Sequence, residues 1–84
     1  MDKEVLAHVG VESILRVNDP AFTVQILHRK AKSKGRKYDR LPAVTLIEVE
    51  ITRKPGGAVL DYNEAIRLQE ALDCALAKWK EWGL

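Results

Sequence analysis

From Ala43 to Arg53 the chain reads AVTLIEVEITR, in which Thr45, Ile47, Val49 and Ile51 alternate with Val44, Leu46, Glu48, Glu50 and Thr52. Branching at Cβ on so many consecutive positions disfavours helix and fits a pleated strand. Eight residues later the pattern changes its period. Asp61-Tyr62-Asn63-Glu64 has the form of a capping box with Asp as cap, and apolar residues then recur every three or four positions. The spacing predicts one helix to about Trp82, with Gly83 as its stop and Ala65, Leu68, Leu72, Ala75, Leu76, Trp79 and Trp82 as its inward stripe. A strand with a buried face followed by a helix with a buried stripe defines an α+β architecture.

Two further strands precede this pair. Val11, Leu15 and Val17 alternate with Glu12 and Arg16, with Ile14 interrupting the polar side. After the turn chemistry of Asn18-Asp19-Pro20, Phe22, Val24 and Ile26 share a face, and Thr23 and Gln25 point the other way. Lys54-Pro55-Gly56-Gly57 reads as a tight turn returning a short fourth strand, Ala58 to Leu60, antiparallel to the third. The expectation is a single domain over 1–84: a four-stranded antiparallel sheet packed by one long C-terminal helix.

At 84 residues such a chain buries only about 60–65% of its unfolded surface, which leaves a lone copy marginally stable and makes a homodimer the expected state. The N-terminal stretch has neither the basic flank nor the apolar run of a signal peptide. No segment reaches the about 20 apolar residues of a membrane helix, and the one cysteine, Cys74, has no internal partner. A cytoplasmic, reducing setting with no membrane partner is the reading.

The functional signal is charge placement. Of fourteen Lys and Arg residues, seven fall between Arg29 and Arg40, where Asp39 is the single acid. That segment carries +6 within a chain of net charge +2, so the remainder is acidic. Such polarity favours a polyanion on one side. Arg29, Lys30, Lys32, Lys34, Arg36, Lys37 and Arg40, on a basic loop spanning 29–42, are the expected phosphate ligands, with Arg53 and Lys54 beside them. Tyr38 is the aromatic that can stack on an unpaired base.

The ending KPGGAVLDYNEAIRLQEALDCALAKW resembles the close of the single-strand-binding domain of the transcriptional coactivator family known as positive cofactor four. Lys54, Pro55, Gly56, Leu60, Asp61, Glu64 and Leu68 stand at similar places, over residues 54–72, and the element order matches across 11–80. The resemblance implies a homodimer whose curved sheets and basic loops hold single-stranded nucleic acid. The basic insertion at 29–42 and the scarcity of strand aromatics depart from the pattern.

A second function class stays open: an inhibitor or adaptor of the anti-CRISPR kind that phages and mobile elements encode against a host nucleic-acid-processing enzyme. It would use Val44 and Leu46, or Ile66, Cys74 and Ala77, with the basic loop or the acidic pair Glu48 and Glu50 as the polar contact. An enzyme is not expected. His8, His28 and Cys74 lack zinc-type spacing, Gly56-Gly57 is too short for a phosphate-cradling loop, and no nucleophile has an adjacent base. No cofactor, metal or catalytic residue is assigned.

Overall fold

The computed structural model describes residues 9–32, 41–52 and 59–84. In chain order the elements are β1 (Glu12–Asn18), β2 (Phe22–Arg29), β3 (Val44–Ile51) and the helix α1 (Tyr62–Trp82). The strands form an antiparallel sheet of order β1-β2-β3, and α1 lies along the central strand.

The β1–β2 turn forms because Asp19 serves it twice. Its backbone exchanges hydrogen bonds with Phe22, at 2.9 and 3.3 Å, and its side chain accepts from the Ala21 N–H at 2.9 Å. β1 pairs with β2 from Asn18↔Thr23 to Glu12↔His28, with a shift between Ser13 and Leu15. Ile14 is therefore the extra residue of a β-bulge, which explains why it interrupts the alternation and stands exposed. β2 pairs with β3 without a shift, from Phe22↔Ile51 to Arg29↔Val44.

Period two puts Phe22, Val24 and Ile26 on one face of β2, and all three are essentially sealed from solvent. They meet Ala71 and Ala75 of α1, with Leu15, Val17, Ile47, Ile51, Leu60, Leu68, Leu72 and Trp79 around them. Asp61 Oδ1 accepts from the Glu64 N–H at 2.8 Å while Glu64 Oε1 accepts from the Asp61 N–H at 2.9 Å, so the expected capping box is complete. At the other end Gly83 takes φ +67, donating to Lys80 O, and the Leu84 N–H donates to Trp79 O. The Trp79 indole N–H closes on Leu84 O at 2.9 Å.

Three expectations are corrected. Val59 and Leu60 belong to no strand, so among the described residues the sheet has three strands; Ala58 and the Lys54–Gly57 turn lie outside them. The reason is that Leu60 packs on the core and Asp61 caps the helix immediately after it, leaving no length to form a ladder. The stripe of α1 is also rotated. Glu64 and Ala71 are buried, Ala65 and Leu76 lie on a flank, and Trp82 is 44% exposed in the last turn, where Lys78 Nζ stands 5.9 Å from its ring centroid. On β3, Ile47 and Ile51 face the core as expected, but Val49 between them is 41% exposed.

Arg67 ties the helix to the β1–β2 turn, its Nε and Nη2 donating to Asp19 at 2.8 and 3.1 Å. This bond first, and the Ala21 N–H second, hold the Asp19 carboxyl below its ordinary 3.8, and the same bond to Asp19 raises the Arg67 guanidinium. A carboxyl depressed in the folded state stabilises it fully above 3.8 and progressively less as pH falls through the folded value. Asp19→Asn should therefore lower the urea midpoint at neutral pH and converge on wild type in strong acid. A constant offset across that range would mean the effect is not ionic. Asp61→Ala should cost about 1 kcal/mol at neutral pH through loss of the cap, read from the same urea curves.

Candidate nucleic-acid interface

Pairing along the β2–β3 arm outlasts that of β1. β1 ends opposite His28, whereas β2 and β3 run to Arg29↔Val44. There the ladder lapses, because Pro42 has no N–H to donate. It resumes at Lys32 and Leu41, which exchange two bonds of 2.9 Å. The first part of the basic run, within the span 29–42 expected as a loop, thus leaves β2 as a short arm held by one bridge to the chain ahead of β3, with Arg29 itself the last residue of β2. The eight residues 33–40 connect its two anchored ends. Of the expected ligands, Lys34, Arg36, Lys37, Tyr38 and Arg40 fall in that connection, and these together with Arg53 and Lys54 lie outside the described residues.

The structure places the three described candidates differently. Lys30 and Lys32 are exposed. Arg29 is only 3% exposed, and its guanidinium is occupied by the protein itself. Nε and Nη2 donate to the Pro42 carbonyl at 3.2 and 2.8 Å, and Nη1 donates to the Val9 carbonyl. One side chain on the central strand therefore joins the segments that lead into both outer strands. The planar fork of Arg suits this task, since donors on different nitrogens reach acceptors in different directions. Charge counting treats Arg29 as a seventh phosphate ligand; its position inside the strand, adjacent to His28 and before the run proper, is the signal that separates it.

At the base of the arm, Gly10, Glu12, His28, Lys30 and Lys32 line an open cleft of about 280 Å³. Gly10 has φ +71, a conformation that favours glycine, and this brings the chain over Arg29. His28 Nδ1 lies 2.9 Å from Thr45 Oγ1, which fixes the ring against β3. Glu12 places one carboxylate among these cations.

The far face of the sheet carries the acidic pair. Arg16 Nη2 donates to Gln25 Oε1 at 3.3 Å, and Gln25 Nε2 donates to Glu48 Oε1 at 2.5 Å. A row across all three strands thus links Arg16 to Glu48 through Gln25. Glu50 is exposed beside it, and Val44 and Leu46 are half-buried on the same face. Cys74 is exposed, with a free thiol. Among the described residues no three His, Cys, Asp or Glu side chains group as metal ligands, and no helix is long and apolar enough to cross a membrane.

Compared with known proteins, the chain matches no protein-family model, no curated protein and no solved structure. None of these comparisons supports the resemblance of residues 54–72 to the positive cofactor four domain. Of the seven that carry it, Leu60, Asp61, Glu64 and Leu68 are described, and they form the helix start and its packing.

The two kinds of cation on the arm make opposite expectations. Arg29→Ala should destabilise the protein by about 1.5–3 kcal/mol in urea unfolding, since it removes the charge-assisted hydrogen bonds that a buried guanidinium makes to the Val9 and Pro42 carbonyls. Lys30→Ala with Lys32→Ala should leave the unfolding midpoint nearly unchanged. Equal stability of all three proteins would show that the Arg29 clamp contributes nothing.

Proposed function

We propose that this protein is a non-enzymatic, sequence-tolerant nucleic-acid binder that holds the phosphate backbone with the arm and connection of residues 30–40, and that it prefers single strands. The observation that carries this reading is the arm itself. Paired chain runs past β1 and presents Lys30 and Lys32 to solvent, while Arg29 turns inward as a brace. Six cations and one acid remain in residues 30–40. Cations gathered in one short segment of chain neutralise consecutive phosphates and release counterions, with no need to read a base edge. Tyr38 supplies one π-face for an unpaired base.

A second reading is favoured by a different observation. Tyr62 and Ile66, one helical turn apart on the side of α1 away from the sheet, are 79% and 36% exposed, with Val59 at 65% ahead of them. An apolar strip of this kind suits a protein contact, and in that reading the chain is an inhibitor or adaptor of a host nucleic-acid-processing enzyme.

Fluorescence anisotropy with labelled single-stranded and double-stranded oligonucleotides separates the two. If about four cations meet phosphates, log affinity for single strands should fall against log salt with a slope of roughly −3. The triple variant Lys34→Glu, Arg36→Glu, Lys37→Glu should lose binding while keeping its circular dichroism spectrum. Absence of binding at low salt would overturn the nucleic-acid reading and leave the apolar strip as the functional surface.

A further inference from the structure

The two edges of the sheet are built differently. β1 is shielded in the way edge strands commonly are: Ile14 bulges out of its ladder, and Pro20 follows its end. β3 pairs straight along its length, with no bulge and no proline between Val44 and Ile51. The Thr52 N–H donates to Ala21 O, and antiparallel alternation then directs the N–H and C=O groups of even-numbered β3 residues toward β2. The groups of Thr45, Ile47, Val49 and Ile51 therefore point to the open side, and among the described residues no strand lies there.

The helix repeats this asymmetry. Arg67, Glu70 and Cys74 share a cleft with Val17, Asn18 and Asp19, so that flank of α1 overhangs β1 and is polar. At 100° per residue the opposite flank, over β3, carries Ala65, Leu72 and Leu76. Leu76 is 53% exposed there, and Val49 on the strand beneath is 41% exposed. Open backbone groups and uncovered apolar side chains coincide along the straight β3 edge, whereas the β1 edge is kinked by its bulge and flanked by the polar side of α1.

We infer that β3 is the interface with a second copy of this chain, paired antiparallel to itself about a two-fold axis normal to the sheet, with Ile47 on the axis. Self-pairing selects this register. Residues directly opposite share a face, so helix-side residues must meet helix-side residues. Shifting the axis to Glu48 would set two carboxylates against each other, and shifting it to Val49 would oppose Glu48 to Glu50 in both halves. With Ile47 on the axis, Thr45 meets Val49, Leu46 meets Glu48 and Val44 meets Glu50, and pairing spans Val44 to Glu50 with no like charges opposed. Moving the axis the other way, to Leu46, shortens the pairing. The result is a six-stranded sheet with both helices on one face, where the second helix comes alongside the uncovered Val49 and Leu76. The small core agrees with this, since among the described residues Phe22, Val24 and Ile26 are the largest side chains fully buried within one copy. The inference does not depend on what the basic arm binds.

Sedimentation of the full chain should give twice the 9.5 kDa monomer mass at micromolar concentration. Val49→Pro, which removes a donor that points to the open side, should halve that mass, and so should Val49→Lys, with circular dichroism reporting retained folding. In a Cys74→Ser background, Ile47→Cys should form an intermolecular disulfide on oxidation, because hydrogen-bonded opposite residues sit about 5.5 Å apart at Cα, inside the disulfide range. Glu48→Cys should not. A monomer at every concentration would overturn the inference and leave the edge for a strand of another protein. A dimer that tolerates both substitutions at Val49, or that cross-links at position 48 in preference to 47, would equally overturn it.

Discussion

The close seating of α1 on β2 is the contact from which the other arrangements follow. Ala71 and Ala75 present little side chain, so the helix approaches until Phe22, Val24 and Ile26 are covered. Bulkier residues at those two turns would lift it away and open gaps that no other described element fills. Because the helix follows the central strand, both outer strands are only partly covered by it. β1 gains a polar seam through Asp19 and Arg67, whereas Leu72 and Leu76 on the opposite flank of α1 offer β3 only apolar side chains. Having one helix for three strands is therefore what gives the two edges their different character.

Arginine and lysine divide the work at the arm. A charge buried without hydrogen-bonded partners is strongly unfavourable, and Arg29 meets that condition by bracing the carbonyls of Val9 and Pro42. The lysines, which retain hydration at a single ammonium, stay outside. Pro42 links the two roles. By lacking an N–H it interrupts the ladder, and its carbonyl takes the guanidinium where the regular pairing lapses. The basic run is thereby fixed at its root by one of its own members.

The elements whose patterns were local were legible in the sequence. The β2 alternation, the Asp61 and Glu64 cap and the Gly83 stop depend on neighbours within four residues, and each appears as read. Ile14 registered only as a break in the pattern, since a bulge shows itself through its partner strand. The helical stripe was misplaced at Ala65, Leu76 and Trp82 because periodicity gives a face without saying how wide a sheet lies under it. Asp19 read as a turn residue alone: its bond to Arg67 spans 48 positions, and no local pattern encodes it. For the candidate site, charge density found the segment, but it could not distinguish a cation turned outward from one turned in.

The bulge at Ile14 has a consequence for how many copies can associate. A chain with two open edges can add copies end to end without limit, as amyloid-forming segments do. Here one edge is kinked and the other straight, so pairing through the straight edge uses up the available surface and leaves kinked strands at both rims. In that pairing growth terminates after a single step, because the bulge of one inserted isoleucine leaves no second straight edge for another copy to join.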